Sequence, residues 1–344
     1  MEYRSASRPS KSTTPTSSDH GARRQRPAAR RPSSVSEQRI VARTESGRAL
    51  PWLSLGVVYV VWGSTYLGIR VAVRTIPPYL MTGVRFLIAG ALLLLIQRLV
   101  SKPTRAPSRG EVFHTAVTAA LLIVIGNGLL CVAETRVESG TAALLLASTP
   151  IFMVLLDAAR SRRLPSVPAM AGIVLGSIGI VALVGRRSGH IDPIFASVIL
   201  VASLSWALGS IYARQNEHRS VTAALEMTIG GALSLVVGLL LGEASHFEAR
   251  AITAASLWGM LWLITAGAMV GYTAYAYAVR SLPTTTVATY GYVNPVIAVI
   301  LGATLLHENV TWNVLAGGAA IVAAVALILF GSRHAVGARS PLIE

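Results

Sequence analysis

Residues 126–156 read "GNGLLCVAETRVESGTAALLLASTPIFMVLL", and residues 271–301 read "GYTAYAYAVRSLPTTTVATYGYVNPVIAVIL". Set 145 positions apart, Gly126 meets Gly271, Ala133 meets Ala278, Thr141 meets Thr286, Ala143 meets Ala288 and Pro150 meets Pro295. The register continues to Gly172 and Gly317. Upstream, "WGSTYLGIR" (62–70) faces "WALGSIYAR" (206–214) more loosely, at an offset of 144. Long self-similarity with matched prolines points to two copies of one structural unit.

Working outward, the copies lie in a chain with the composition of a membrane protein. The 344 residues are 53% hydrophobic and only 13% charged, with a mean hydropathy of +0.59. Soluble domains carry roughly a quarter of their residues as charges. Ten apolar segments follow at about 52–73, 79–98, 112–133, 139–158, 168–185, 193–213, 221–241, 257–279, 285–306 and 312–331. Each approaches the roughly 17–25 residues that a helix needs to cross a bilayer. Short connections favour neighbouring antiparallel helices. The expected fold is an all-α integral membrane protein with ten transmembrane helices. Each copy holds five, and five is odd, so the second copy must insert upside down. This gives two inverted five-helix repeats around a central cavity, with a substrate site near the midplane. The units are residues 50–190 and 191–332, with a short carboxy-terminal tail at 333–344.

Charge sets the orientation. Residues 1–48 hold eleven Lys or Arg and four acids, are rich in Ser, Thr and Pro, and read as a disordered basic tail, residues 1–49. With this tail in the cytoplasm, the cytoplasmic side carries 23 basic residues, against five (Arg74, Arg136, Arg186, Arg187, Arg250) outside. Positive-inside then places both termini in the cytoplasm. A membrane anchor explains the tail's charge, and no nucleic-acid partner is expected.

The lone Cys131 excludes a disulfide framework. No phosphate-binding GxxxxGK[ST] occurs, the seven histidines show no metal-ligand spacing, and neither lysine lies in a span. An ATP-driven pump, a zinc enzyme and a Ser–Lys hydrolase are excluded on these grounds. No cofactor or metal is expected, and the chain does not read as an enzyme.

Candidate site residues come from depth. At 1.5 Å per residue, Trp62 sits roughly 15 Å into the first helix, at the midplane, and Thr65 roughly 20 Å in. Arg85 lies roughly 9 Å from the other end of the second helix. Ser64, Thr65, Tyr66, Arg85 and Asn127 therefore share one level, about a third of the way in from outside. Trp206, Tyr272 and Glu226 form a looser counterpart nearer the cytoplasm. Arg85 suits bidentate capture of a carboxylate, or else serves as a structural partner for backbone carbonyls or for Glu134. Glu226 is the natural proton carrier if transport is proton-coupled. The straight-helix separation of Arg85 and Glu226, about 14 Å along the membrane normal, argues against a direct salt bridge. Tyr275 and Asn294 join the candidates that line the cavity. Pro150 and Pro295 near the middle of helices 4 and 9 are candidate hinges. Arg70, near the outer end of helix 1, reads as a snorkelling residue. Gly172, Gly176, Gly317 and Gly318 read as sites of close helix contact, within the chain or in a dimer. Glu308 in "LLHE" reads as a helix-end acid.

The stretches "VWGSTYLGIRVAV…PPYLMTGVRFLIAGALLLL", "GNGLLCVAET…SGTAALLLASTPIF" and "YGYVNPVIAVILG…HE" resemble the EamA-type transporters of the drug/metabolite transporter superfamily. The resemblance covers about residues 52–331. It implies a ten-helix bundle with alternating access that exports amino acids, related metabolites or drug-like molecules across the bacterial inner membrane. The implied partners are a small-molecule substrate and the lipid bilayer, with protons if the process is coupled, and the protein would act as a monomer or homodimer. Small multidrug antiporters of the broader superfamily use a glutamate in helix 1, and this helix 1 has none.

Overall fold

The computed structural model describes residues 35–100, 105–162, 164–184, 192–216, 223–282, 284–287 and 289–337. The basic tail lies outside the described residues over 1–34, as do Lys102, Arg163, Arg186, Arg187, Arg219 and Arg339. Two units are distinguished, Met1–Ser46 and Gly47–Glu344. Of the first, the described part is helical from Val35.

The second unit is all-α. Its elements are α1 (Val35–Ala72, continuing from the first unit), α2 (Pro78–Val100), α3 (Arg109–Ala119), α4 (Gly128–Ala133), α5 (Ser139–Leu146), α6 (Thr149–Ser161), α7 (Val167–Val184), α8 (Pro193–Gln215), α9 (Ala223–Leu240), α10 (Ala254–Trp262), α11 (Gly271–Ser281), α12 (Thr284–Val287), α13 (Tyr290–Leu305) and α14 (Trp312–Gly337). Two π-helical segments, Ala120–Asn127 and Leu263–Val270, join α3 to α4 and α10 to α11. Among the described residues, eight helices are long and apolar enough to cross a membrane: Ala49–Ala72, Pro78–Val100, Arg109–Ala133, Ser139–Ser161, Pro193–Gln215, Ala223–Leu240, Ala254–Ser281 and Trp312–Leu329. Val167–Leu183 and Tyr290–Leu305 are shorter apolar helices. The chain is a multi-span membrane helix bundle.

Local chemistry sets the helix starts. Ser108 and Glu111 form a reciprocal capping box at α3, and the Asp192 and Thr253 side chains accept from backbone N–H groups at α8 and α10. The N-termini of α2 and α5 are capped from a distance. The Glu243 carboxylate accepts from the N–H groups of Tyr79 (3.1 Å) and Leu80 (2.8 Å). The Glu308 carboxylate accepts from those of Ser139 (2.8 Å) and Gly140 (3.1 Å). Two negative groups thus sit on two helix N-termini, where exposed N–H donors and the dipole favour them.

Small residues bring helices together. A Cβ on Gly83 would lie 2.8 Å from the Leu235 N, and one on Gly90 2.6 Å from the Thr228 N, so α2 and α9 touch backbone to backbone. From α9, Gly231 meets the Leu87 backbone and Gly238 meets Leu80. The α7–α14 pair is built likewise: Gly172 faces the Ala324 carbonyl and Gly317 the Gly179 carbonyl, each 2.9 Å from an added Cβ. The contacts of Gly172, Gly176, Gly317 and Gly318 are therefore within the chain. The largest apolar core joins Ile69, Met81, Leu130, Leu145, Leu183, Ile199, Leu263 and Ile321. Leu95, Leu99, Val174, Ile178, Val181 and Leu239 are exposed on the outside, as lipid contact requires.

Candidate functional site

Polar side chains at span depth must find partners, because lipid offers none. In the interior, Arg85 is 6% exposed and its Nη2 donates to the Asn127 Oδ1 at 3.1 Å. The shared depth expected of Arg85 and Asn127 is thus a contact. Asn127 closes the first π segment and donates to the Leu122 carbonyl at 3.3 Å. The Arg85 Nε and Nη1 have no hydrogen-bond partner, while its guanidinium carbon lies 4.3 Å from the Phe86 ring centre.

A π turn shifts the hydrogen-bond ladder and leaves carbonyls open to other donors, a device frequent at functional sites. Both π segments are used in this way. Trp62 Nε1 donates to the Gly267 carbonyl at 3.2 Å, and Ser205 Oγ to the Leu121 carbonyl at 2.8 Å. Trp62 packs on Gly271, and Trp206 packs on Gly126. Trp62 also gathers Tyr272, Tyr275 and Tyr290, with ring centres 5.6, 5.0 and 5.3 Å away. These rings form one aromatic cluster between α1, α11 and α13.

Other candidates have structural duties. Ser64 donates to the Val61 carbonyl (2.8 Å) and accepts from Trp262 Nε1 (3.0 Å), tying α1 to α10. Thr65 donates to the Trp62 carbonyl (2.6 Å), and Tyr66 packs on the main core. Asn294, with its amide oriented to satisfy its neighbours, donates to the carbonyls of Tyr59 (3.2 Å) and Tyr290 (3.3 Å). Glu226 sits in the first turn of α9.

Pro150 occupies the start of α6, where its missing N–H costs nothing, rather than the middle of a continuous helix. The break before it, at Ala147–Ser148, is held by hydroxyls: Ser203 lies 3.0 Å from Ser148 and 2.9 Å from Thr149, and Thr149 donates to the Leu146 carbonyl. Pro295 lies inside α13.

Sequence reasoning considered Glu134 only as a structural partner of Arg85, not as a site residue. It follows α4, is fully buried, and neither carboxylate oxygen has a hydrogen-bond partner. Arg70 does not snorkel freely; it is half-buried and its Nη1 donates to the Glu134 backbone carbonyl. The signal for Glu134 lay in the sequence as an acid just past a span, "CVAE", indistinguishable there from an interfacial residue.

The chain is a polytopic membrane protein whose interior holds a buried cation, hydroxyls and aromatic rings. The sequence matches the EamA-like transporter family over residues 50–185 and again over 194–330. The chain belongs to that family, within the drug/metabolite transporter superfamily. Among its relatives is an uncharacterized inner membrane transporter, YedA, of Escherichia coli strain K12, 36% identical over 291 residues that cover 81% of this chain and 90% of the relative. A probable amino-acid metabolite efflux pump of Salmonella typhimurium strain LT2 is 28% identical over 298 residues, covering 80% and 94%. A solved crystal structure superposes with a TM-score of 0.57 at 17% identity, covering 84% of this chain and 98% of its own, which shows the shared fold. Family membership makes the protein a transporter rather than an enzyme.

Proposed function

We propose that the chain exports small metabolites, amino acids or related compounds, or drug-like molecules across the bacterial inner membrane by alternating access, as a secondary active or facilitative transporter. The observation that carries the reading is Arg85, a buried cation on a spanning helix with two nitrogens left without acceptors. Orphaned buried polar groups are rare, and a transported ligand would satisfy this one. A guanidinium is suited to a carboxylate. The similarity to a relative named as an amino-acid metabolite efflux pump supports the same class of substrate. Trp62, Tyr272, Tyr275 and Trp206 would contact the rest of the substrate, beside Asn127, Thr65 and Tyr66. Ser64 and Asn294 would hold the wall behind them. If export is proton-coupled, Glu226 is the carrier.

The architecture of this reading is ten spans in two inverted repeats, residues 50–190 and 191–332, with both termini cytoplasmic. Reciprocal contacts support it. Trp62 meets Gly271 as Trp206 meets Gly126, and Gly83 meets Leu235 as Gly231 meets Leu87. A two-fold relation between the halves accounts for each swap, and also for a π segment in the third helix of each half. Arg85, Asn127 and Ser205 are all buried, so in this reading substrate reaches them when helices move. Pro150 at the start of α6 and Pro295 inside α13 are the hinges in this reading.

Overproduction in cells should raise tolerance to toxic amino-acid analogues, and Arg85→Ala should remove the gain. Tolerance unchanged by that substitution, at equal protein level, would make Arg85 structural and overturn the carboxylate reading.

A further inference from the structure

Glu134 and Arg85 are the two largest unsatisfied charges inside the described bundle. Both oxygens of Glu134 and two of the three nitrogens of Arg85 lack partners. They do not bond to each other. They lie on elements that pack together, α2 and α4 with its flanking residue. Asn127, which holds Arg85, and Glu134 are seven residues apart on one helical run, a spacing that returns to the same face after two turns. Cys131, one turn on from Asn127, faces the same helix, since Thr82 Oγ1 lies 3.3 Å from its sulfur. The stripe Asn127, Cys131, Glu134 therefore runs along Thr82 and Arg85.

Two other charges lie beside Glu134, Arg70 and Glu308. Arg70 donates to the Glu134 carbonyl, and Glu308 accepts from the N–H groups of Ser139 and Gly140. Arg85 gives one nitrogen to Asn127. What remains is a carboxylate at one end of the stripe and most of a guanidinium at the other. Asn127, which holds Arg85, and Glu134 are separated by roughly 10 Å of helix rise along this stripe. An α-amino acid with its ammonium on a carboxylate and its carboxylate on a guanidinium needs roughly 9 Å between the two protein groups, from two hydrogen bonds and its own N–Cα–C geometry.

We propose that Arg85 and Glu134 form a two-ended site for a zwitterion, with Arg85 on the α-carboxylate and Glu134 on the α-ammonium. The proposal rests on the export reading above and deepens it: the preferred substrates carry both charges on one carbon. A free acid leaves Glu134 unsatisfied, and a free amine leaves Arg85 unsatisfied, so each single-charge analogue is discriminated against.

The test uses the full chain purified in detergent, with binding followed by tryptophan fluorescence. The probes are leucine and phenylalanine, each beside its deaminated acid (4-methylpentanoate, 3-phenylpropanoate) and its decarboxylated amine (3-methylbutylamine, 2-phenylethylamine). The readout is the ratio of amino-acid affinity to that of the matching acid. The wild-type ratio should be tenfold or more, by the weight of one charge-assisted contact. Glu134→Gln should collapse it toward one, and Glu134→Asp should restore part of it. Equal affinity of amino acid and deaminated acid for the wild type overturns the proposal, as does a ratio unmoved by Glu134→Gln. The wild-type comparison decides the matter even if a variant fails to fold. Arg85-dependent binding of the deaminated acids at full strength would remove the zwitterion site and keep the carboxylate reading. No binding of any probe carrying a carboxylate would remove both.

Discussion

Replacing Glu308 with Gln tests the long-range helix caps. The carboxylate accepts from Ser139 N and Gly140 N at 2.8 and 3.1 Å, at the first turn of α5. Gln keeps one carbonyl acceptor and loses the other, together with the negative charge on the helix N-terminus. A charge-assisted hydrogen bond is worth about 1.5–3 kcal/mol, and a charge at a helix end about 0.3–1 kcal/mol. Glu308 is half-buried, so screening trims these figures, and a loss of about 2 kcal/mol is expected. For a bundle of this size that corresponds to a fall in Tm of roughly 4 °C, at about 2 °C per kcal/mol. Thermal unfolding of the detergent-solubilised variant, followed by intrinsic fluorescence, measures it. Glu243→Gln should give a similar fall, because its carboxylate binds Tyr79 N and Leu80 N in the same manner. The two caps share no partner, so the double variant should show the sum. A Tm unchanged within a degree in both single variants would refute the capping role.

Two further substitutions probe packing. Gly90→Ala places a methyl 2.6 Å from the Thr228 N, and overpacking of this kind costs about 1–3 kcal/mol; Gly56→Ala, inside α1 with nothing within 4 Å, should leave the Tm unchanged or slightly raised in the same unfolding assay. Ser203→Ala removes the hydroxyl that lies against Ser148 and Thr149 at the break between α5 and α6, and should lower the Tm by the equivalent of about 1–2 kcal/mol.

The spans were legible because a bilayer imposes a minimum apolar length, which a sequence displays directly. Close helix contact at Gly172 and Gly317 was legible because only small residues permit such approach, but the sequence did not say which helix each would meet; the structure pairs α7 with α14. The contact of Arg85 with Asn127 was reachable by counting rise along straight helices. Counting failed where helices are not regular. The π segments that free the Leu121 and Gly267 carbonyls leave no periodic mark in "ALLIVIGN" or "LITAGAMV". Pro150 looked like a mid-span kink because the turn at Ala147–Ser148 carries no glycine. Glu134 was hidden by its position past a span, since its burial depends on elements distant in the chain, with Arg70 on α1 and Glu308 after α13 among its charged neighbours. Glu308 was readable as a helix-end acid, but not which helix it would cap.

Transport by the purified chain in sealed liposomes without nucleotide tests the central claim most directly. Liposomes preloaded with labelled leucine should release it through the wild-type protein with no ATP present, and the Arg85→Ala protein, reconstituted at equal density, should release it at the rate of empty liposomes. A strict requirement for ATP, or release by Arg85→Ala as fast as by the wild type, would contradict the account.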